Sequence, residues 1–138
     1  MVEVFQMKIC LDNIKPAIWR RLLVENGRTF EEFHEAMQIM AGWKNYHLYN
    51  FDIPCGIEIE PPDEDAPPGT LDPSKIKLSA ALENNVKKFR YTYDLGDDWS
   101  HVIFIEKVSD IAISSPRCTG GMRAFPPEDC GGVGGYED

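Results

Sequence analysis

The sequence contains no long apolar run. Val2 to Leu11 is interrupted by Glu3, Gln6 and Lys8, so it cannot serve as the apolar region of an export signal. No stretch approaches the roughly 18 apolar residues that a helical membrane span requires. Basic charge is also scarce: 14 lysines and arginines face 23 acids, for a formal net charge of -9. Such a surface repels phosphate backbones and argues against non-specific nucleic-acid binding. Arg20-Arg21 and Lys87-Lys88-x-Arg90 are the basic clusters, and each reads as the solvated face of a strand. The four cysteines, Cys10, Cys55, Cys118 and Cys130, form no Cys-x-x-Cys pair. With no export signal they read as reduced thiols in a cytoplasmic protein. Gly131-Gly132 and Gly134-Gly135 lack the Lys-Ser/Thr of a phosphate-cradling loop. Ser100 and His101 are neighbours on a strand, so they point to opposite faces and form no catalytic dyad.

What is present suits one globular domain spanning residues 1–138, with 43% hydrophobic and 11% aromatic residues. Phe5, Met7, Ile9 and Leu11 alternate with polar residues, which predicts a strand. Ile18 to Val24 predicts a second strand, joined to the first as a hairpin. Arg20 falls on its apolar side and needs a carboxylate partner or an edge position. Thr29-Phe-Glu-Glu32 is a capping-box pattern opening an amphipathic helix from Phe30 to Ala41, with Gly42 closing it. His34 lies at the edge of the apolar stripe, where a histidine packs and hydrogen-bonds more often than it binds a ligand. Strands are predicted over Tyr46–Ile53, Lys88–Leu95 and Trp99–Val108, with a short paired strand within Cys55–Glu60 and a helical turn at Leu78–Leu82. Residues 61–73, rich in proline and acids, read as a flexible loop. Residues 109–138 read as an irregular C-terminal segment, with six glycines and three prolines from Pro116 onward. The expected fold class is α+β: a two-layer domain with a mostly antiparallel sheet, one main amphipathic helix packed on it, and a β-grasp-like order.

The densest chemistry lies in Tyr93-Asp-Leu-Gly-Asp-Asp-Trp-Ser-His101, which places Asp94, Asp97, Asp98, Trp99 and His101 about a Gly96 turn. This stretch joins Ile14-Lys-Pro16 with Ile18-Trp-Arg-Arg21, Gly42-Trp43, His47-Leu48 with Phe51, and Pro126-Pro-Glu-Asp-Cys-Gly-Gly132. Together these motifs resemble the Ri-plasmid open-reading-frame-three-like proteins, also grouped with resolvase-like transposon passengers. The resemblance covers nearly the whole chain. It implies an α+β domain associated with mobile elements and of uncharacterised biochemical role. A serine recombinase needs a nucleophilic serine amid arginines and a DNA-binding surface, and this acidic chain shows neither arrangement. Two departures stand out. Phe125 occupies the place where the family often carries a cysteine. Family members also continue past Gly135-Tyr-Glu137 with a helical acidic tail, whereas this sequence ends at Asp138.

Three kinds of site are compatible with these residues. His47, His101, Cys118 and Cys130 supply the nitrogen and sulfur ligands that zinc favours, but Cys118 and Cys130 are too widely spaced for a zinc knuckle, and packed thiols are the plainer reading. Asp94, Asp97 and Asp98, with Glu128 and Asp129, could hold a divalent cation, with His101 as general base. The same acids are ordinary turn residues, and Asp94 or Glu128 could pair with Arg20 or Arg21. Trp19, Trp43 and Trp99, with Tyr46, Tyr49 and Tyr93, suit a binding groove or a small core. The reading that weighs best is a non-enzymatic binding or interaction module that needs no cofactor. Its expected surface is Asp94, Asp97, Asp98, Trp99, His101, Glu128 and Asp129, and its expected partner is a protein or small molecule rather than nucleic acid or membrane. The alternative is a metal-dependent hydrolase or nuclease-like enzyme using Asp97, Asp98 and His101, with zinc or another divalent cation.

Overall fold

Period-two alternation builds most of this chain. In the computed structural model, which describes residues 3–12, 14, 17–45, 48–54, 56–64, 66–82, 86–93, 99–113, 115–122 and 125, seven strands form one sheet. The strands are β1 (Val4–Leu11), β2 (Trp19–Glu25), β3 (Tyr49–Ile53), β4 (Ile57–Ile59), β5 (Lys88–Tyr93), β6 (Trp99–Ser109) and β7 (Arg117–Met122). They lie in the order β4-β3-β5-β6-β1-β2-β7, and all six ladders are antiparallel. Helix α1 (Phe30–Ala41) crosses one face of this sheet, and a four-residue helix α2 (Leu78–Ala81) sits beside the start of α1.

The expected α+β class with a β-grasp-like order is therefore corrected. The fold is mostly β: the described residues form one continuous antiparallel sheet with two short helices, of 12 and four residues. The capping box and apolar stripe of α1 are strong local signals and gave the helix undue weight. Strands β4 and β7 carry weak signals, one because it has three residues and the other because its sequence is Arg-Cys-Thr-Gly-Gly-Met. Strand β7 also lies inside the stretch expected to be irregular.

One face of the sheet makes the core. Met7, Ile9, Leu22, Val24, Phe51, Ile53, Phe89, Tyr91 and Ile103 point to it and are buried. Phe30 and Phe33 of α1 meet Phe51 and Phe89 there, with ring centroids 5.0–6.4 Å apart. The capping box forms as its sequence predicts: the Glu32 backbone N–H donates to Thr29 Oγ1 at 3.1 Å, and the Thr29 N–H donates to Glu32 Oε1 at 3.0 Å. Gly42, at φ 76°, ends the helix in the left-handed region that favours glycine and turns Trp43 back toward the sheet. The segment after β4 is held by Leu71, whose N–H and C=O bond the backbone of Glu58 and Glu60.

The opposite face carries Lys8, Trp19, Arg21, Arg90, Val102 and Phe104. Arg21 pairs with Glu106 at 2.7 Å and Arg90 with Asp12 at 2.8 Å. Lys8 and Arg21 both lie over the Trp19 ring, at 4.8 and 5.1 Å. Arg21, Lys88 and Arg90 thus lie on the outer strand face, whereas alternation puts Arg20 on the core side.

Candidate functional site

Register brings five elements together at one end of the sheet. His101 pairs with Leu11 on one side and Tyr91 on the other, and Trp99 pairs with Tyr93. Arg20 pairs with Ile9 and with Gly121. Residues 99 and 101 are two apart on one strand and share the core face. Trp43 arrives from the helix end and Phe125 from just beyond β7. The result is an aromatic layer. Trp43 stacks on Tyr93 (5.1 Å) and Trp99 (5.9 Å), while Phe125 stacks on His101 (5.9 Å, 15°) and meets Trp43 edge-on (5.6 Å).

Two polar atoms in this layer lack partners. Trp99 and His101 are fully buried, yet Trp99 Nε1 and His101 Nε2 have no hydrogen-bond partner among the described residues. His101 Nδ1 lies 3.0 Å from the Tyr91 carbonyl, which can only accept, so Nδ1 carries the proton and Nε2 is a bare acceptor. Burial pushes the His101 pKa down to about 4, outweighing its hydrogen bonding to the backbone. The ring is neutral at pH 7. The floor therefore offers one donor, the Trp99 indole, and one acceptor, the His101 ring.

Arg20 closes the edge of the layer. Its Nη1 donates to the carbonyl oxygens of Trp19 (2.8 Å) and Met122 (3.3 Å), and its guanidinium lies over Phe125 at 5.3 Å. Asp94 and Glu128, the carboxylates named as its candidate partners, lie outside the described residues. Among the described residues backbone carbonyls and a ring face hold the guanidinium, and glycine at 121 makes the room. A Cβ there would sit 2.5 Å from Arg20 Cδ and 2.9 Å from the Trp19 carbonyl oxygen.

A second buried polar cluster adjoins the first through Tyr91. His34 Nε2 lies 2.6 Å from Asn45 Oδ1, and His34 Nδ1 lies 2.6 Å from the Tyr91 hydroxyl. Gln38 Nε2 donates to that hydroxyl at 3.0 Å, and the Asn45 N–H donates to Gln38 Oε1 at 2.9 Å. With Nε2–H donating to Asn45, Tyr91 donates to Nδ1, and each of these groups finds a partner. His34 also stacks on Tyr49 at 3.5 Å. Burial lowers its pKa to about 4. As its position at the stripe edge predicts, this histidine packs and bonds its neighbours.

A profile of the plasmid pRiA4b ORF-3-like proteins matches residues 3–138. The chain belongs to this family. An uncharacterised protein of Sinorhizobium fredii, y4hQ, is 34% identical over 143 residues, an alignment that covers all of this chain and 72% of that protein. A crystal structure of a protein of unknown function from Methanosarcina mazei, MM3350, superimposes with a TM-score of 0.89 at 36% identity. It covers 99% of this chain and 79% of the other. Arg20, Trp43, Tyr93, Trp99 and His101, which come from three separate motifs of the sequence, all meet in the aromatic layer.

The expected site residues divide sharply. Trp99 and His101 lie together on the floor. Asp94, Asp97, Asp98, His47, Glu128, Asp129 and Cys130 lie outside the described residues. Cys118 is on β7, exposed, opposite Leu22. Strands β1 and β2 separate β7 from β6, so three strand spacings, about 14 Å, lie between Cys118 and His101. The fold does not bring these two metal candidates together. Among the described residues no three His, Cys, Asp or Glu side chains gather closely enough to hold a metal ion. The tryptophans also separate, with Trp43 and Trp99 in the layer and Trp19 on the opposite face. The sequence reading missed the roles of Tyr91 and Arg20. Arg20 did carry a signal, as a charged residue in an apolar register.

Proposed function

We propose that this protein is a non-enzymatic binding module whose site is the aromatic layer over Trp99 and His101. The observation that carries the reading is the pair of buried atoms, Trp99 Nε1 and His101 Nε2, that have no partner among the described residues. A buried polar group without a partner costs about 1–3 kcal/mol, so a site that leaves two of them is expected to serve something that pairs them. The matching ligand is small and neutral, with one hydrogen-bond acceptor for the indole and one donor for the imidazole. Phe125 covers the ring of His101 and would act as the gate. Two residues of the expected surface, Trp99 and His101, supply this floor.

Benzamide offers both complementary groups on a flat apolar body and is a suitable probe. Titrated into isotope-labelled protein, it should shift the Trp99 indole N–H and His101 ring signals, and Phe125→Ala should strengthen the response. Unmoved indole and imidazole signals in both proteins would overturn the reading.

A second reading, a metal-dependent hydrolase or nuclease-like enzyme using Asp97, Asp98 and His101, draws on the same imidazole. Its Nδ1–H bonds a backbone carbonyl, the arrangement that commonly orients a metal-binding histidine. Elemental analysis of protein purified without a metal-affinity tag separates the readings. Stoichiometric zinc, manganese or iron lost in His101→Gln supports the enzyme, and no stoichiometric metal removes it.

A further inference from the structure

We propose that β7 and the groove beside it accept an extended peptide from a partner protein as an eighth strand, with an apolar and a basic side chain facing α1. This site is distinct from the aromatic layer.

Strand β7 is the last in the sheet order, and β2 is its sheet neighbour. Among the described residues no strand pairs with its outer edge. Five of its six residues are exposed, with Gly120 half-buried. Free strand edges pair readily with other chains, and proteins usually blunt them with lysine, proline or a covering segment. A bulge opposite Arg21 and Leu22 interrupts the inner ladder, yet the strand itself carries no lysine or proline.

Beside this edge, α1 and β7 enclose a groove of about 390 Å3. Leu22, Ala36, Met40 and Cys118 give it an apolar lining, and Ile39 stands at its rim with 82% of its surface exposed. An isoleucine so exposed beside a free edge offers apolar area that an added strand would cover. A free edge flanked by a helix-walled apolar groove is the geometry of strand-addition recognition, in which main-chain bonds supply affinity and pockets for alternate side chains supply specificity. Cys118 pairs with Leu22, whose side chain lies on the helix face, so alternate residues of an added strand would enter the groove.

Charge selects the occupant. Glu32, Glu35 and Arg28 are the charged residues that line the groove, and the two acids outnumber the one base. Glu32 is bound by Arg28 at 3.1 Å, whereas Glu35 makes no ion pair among the described residues. With a net charge of -9 on the protein, a lysine or arginine of the incoming strand would be drawn to Glu35. A second copy fits poorly. Each copy carries the same net charge, and its other edge strand, β4, would bring Glu58.

The probe is a short acetylated peptide alternating threonine with leucine and arginine. Its counterpart carries glutamate in place of arginine. The arginine peptide should slow hydrogen exchange of amides 117–122 and shield Cys118 from N-ethylmaleimide. Glu35→Lys should weaken it about tenfold and reverse the preference toward the glutamate peptide. Ile39→Asp, at an exposed position that leaves the fold intact, should weaken both peptides. Equal binding of the two peptides to the unaltered protein, or no shielding of β7 amides and Cys118 at saturating peptide, would overturn the proposal. So would dimerisation through β7 in the absence of peptide, which would assign the edge to a second copy.

Discussion

The Tyr91 hydroxyl illustrates how single atoms hold this fold together. It donates to His34 Nδ1 and accepts from Gln38 Nε2, at 2.6 and 3.0 Å, in a region closed to water. Tyr91→Phe removes one oxygen and leaves both of those nitrogens short of a partner, while the ring keeps its packing against Phe51. The expected cost is about 1–3 kcal/mol, read from urea or guanidinium unfolding. A loss well below this range would show that the cluster does not contribute as a unit. The histidine half of this cluster was legible, since its place beside the helical stripe implied packing. The tyrosine half was not, because it lies 57 residues away and its partner is fixed only by how α1 crosses the sheet. Trp99 and His101 follow the same logic. Period two put them on one face, but whether that face would be wet or buried depended on Trp43 and Phe125, from distant parts of the chain.

At the scale of elements, legibility followed the strength of local signals. The capping box, apolar stripe and Gly42 marked α1 to the residue, and clean alternation located β1, β2, β5 and β6 to within a residue or two. Strand β7 had no such pattern. Its Gly120-Gly121 pair resembles a loop, and the reason for a strand there lies in Arg20 of its neighbour. Gly121 leaves the space through which the Arg20 side chain passes to reach the Met122 carbonyl and the Phe125 ring. Gly121→Ala should therefore destabilise the protein by about 1–3 kcal/mol through overpacking. In the background of Arg20→Ala, which removes the side-chain clashes and leaves only the close approach to the Trp19 carbonyl oxygen, the same alanine should cost less. This coupling, measured as a double-mutant cycle on unfolding free energy, is the decisive quantity. Additive costs would mean that Gly121 is there for some reason other than Arg20.

For the whole molecule, acidity and buried imidazoles combine into a defined pH response. His34 and His101 are both pushed down to about 4 by burial, whereas an unfolded chain protonates its histidines near pH 6.5. Above that pH both rings are neutral in both states, and the folded protein has its full stability. Between pH 6.5 and 4 the unfolded chain binds protons that the native state refuses, so stability falls as pH falls. A shift of this size corresponds to about 3 kcal/mol for each ring once pH drops below 4. The lowered carboxylates act later. Glu32, held by the helix cap, and Glu106, held by Arg21, begin to lose their contribution only below the ordinary glutamate pKa of 4.5. The two windows can therefore be separated. Thermal or urea midpoints recorded from pH 7 to 4.5 should decline for the unaltered protein, with His34→Gln and His101→Gln each flattening part of the slope even if each lowers the plateau. If both variants retain the full slope, the acid sensitivity arises from other groups, the 23 carboxylates foremost, rather than from the buried imidazoles of His34 and His101.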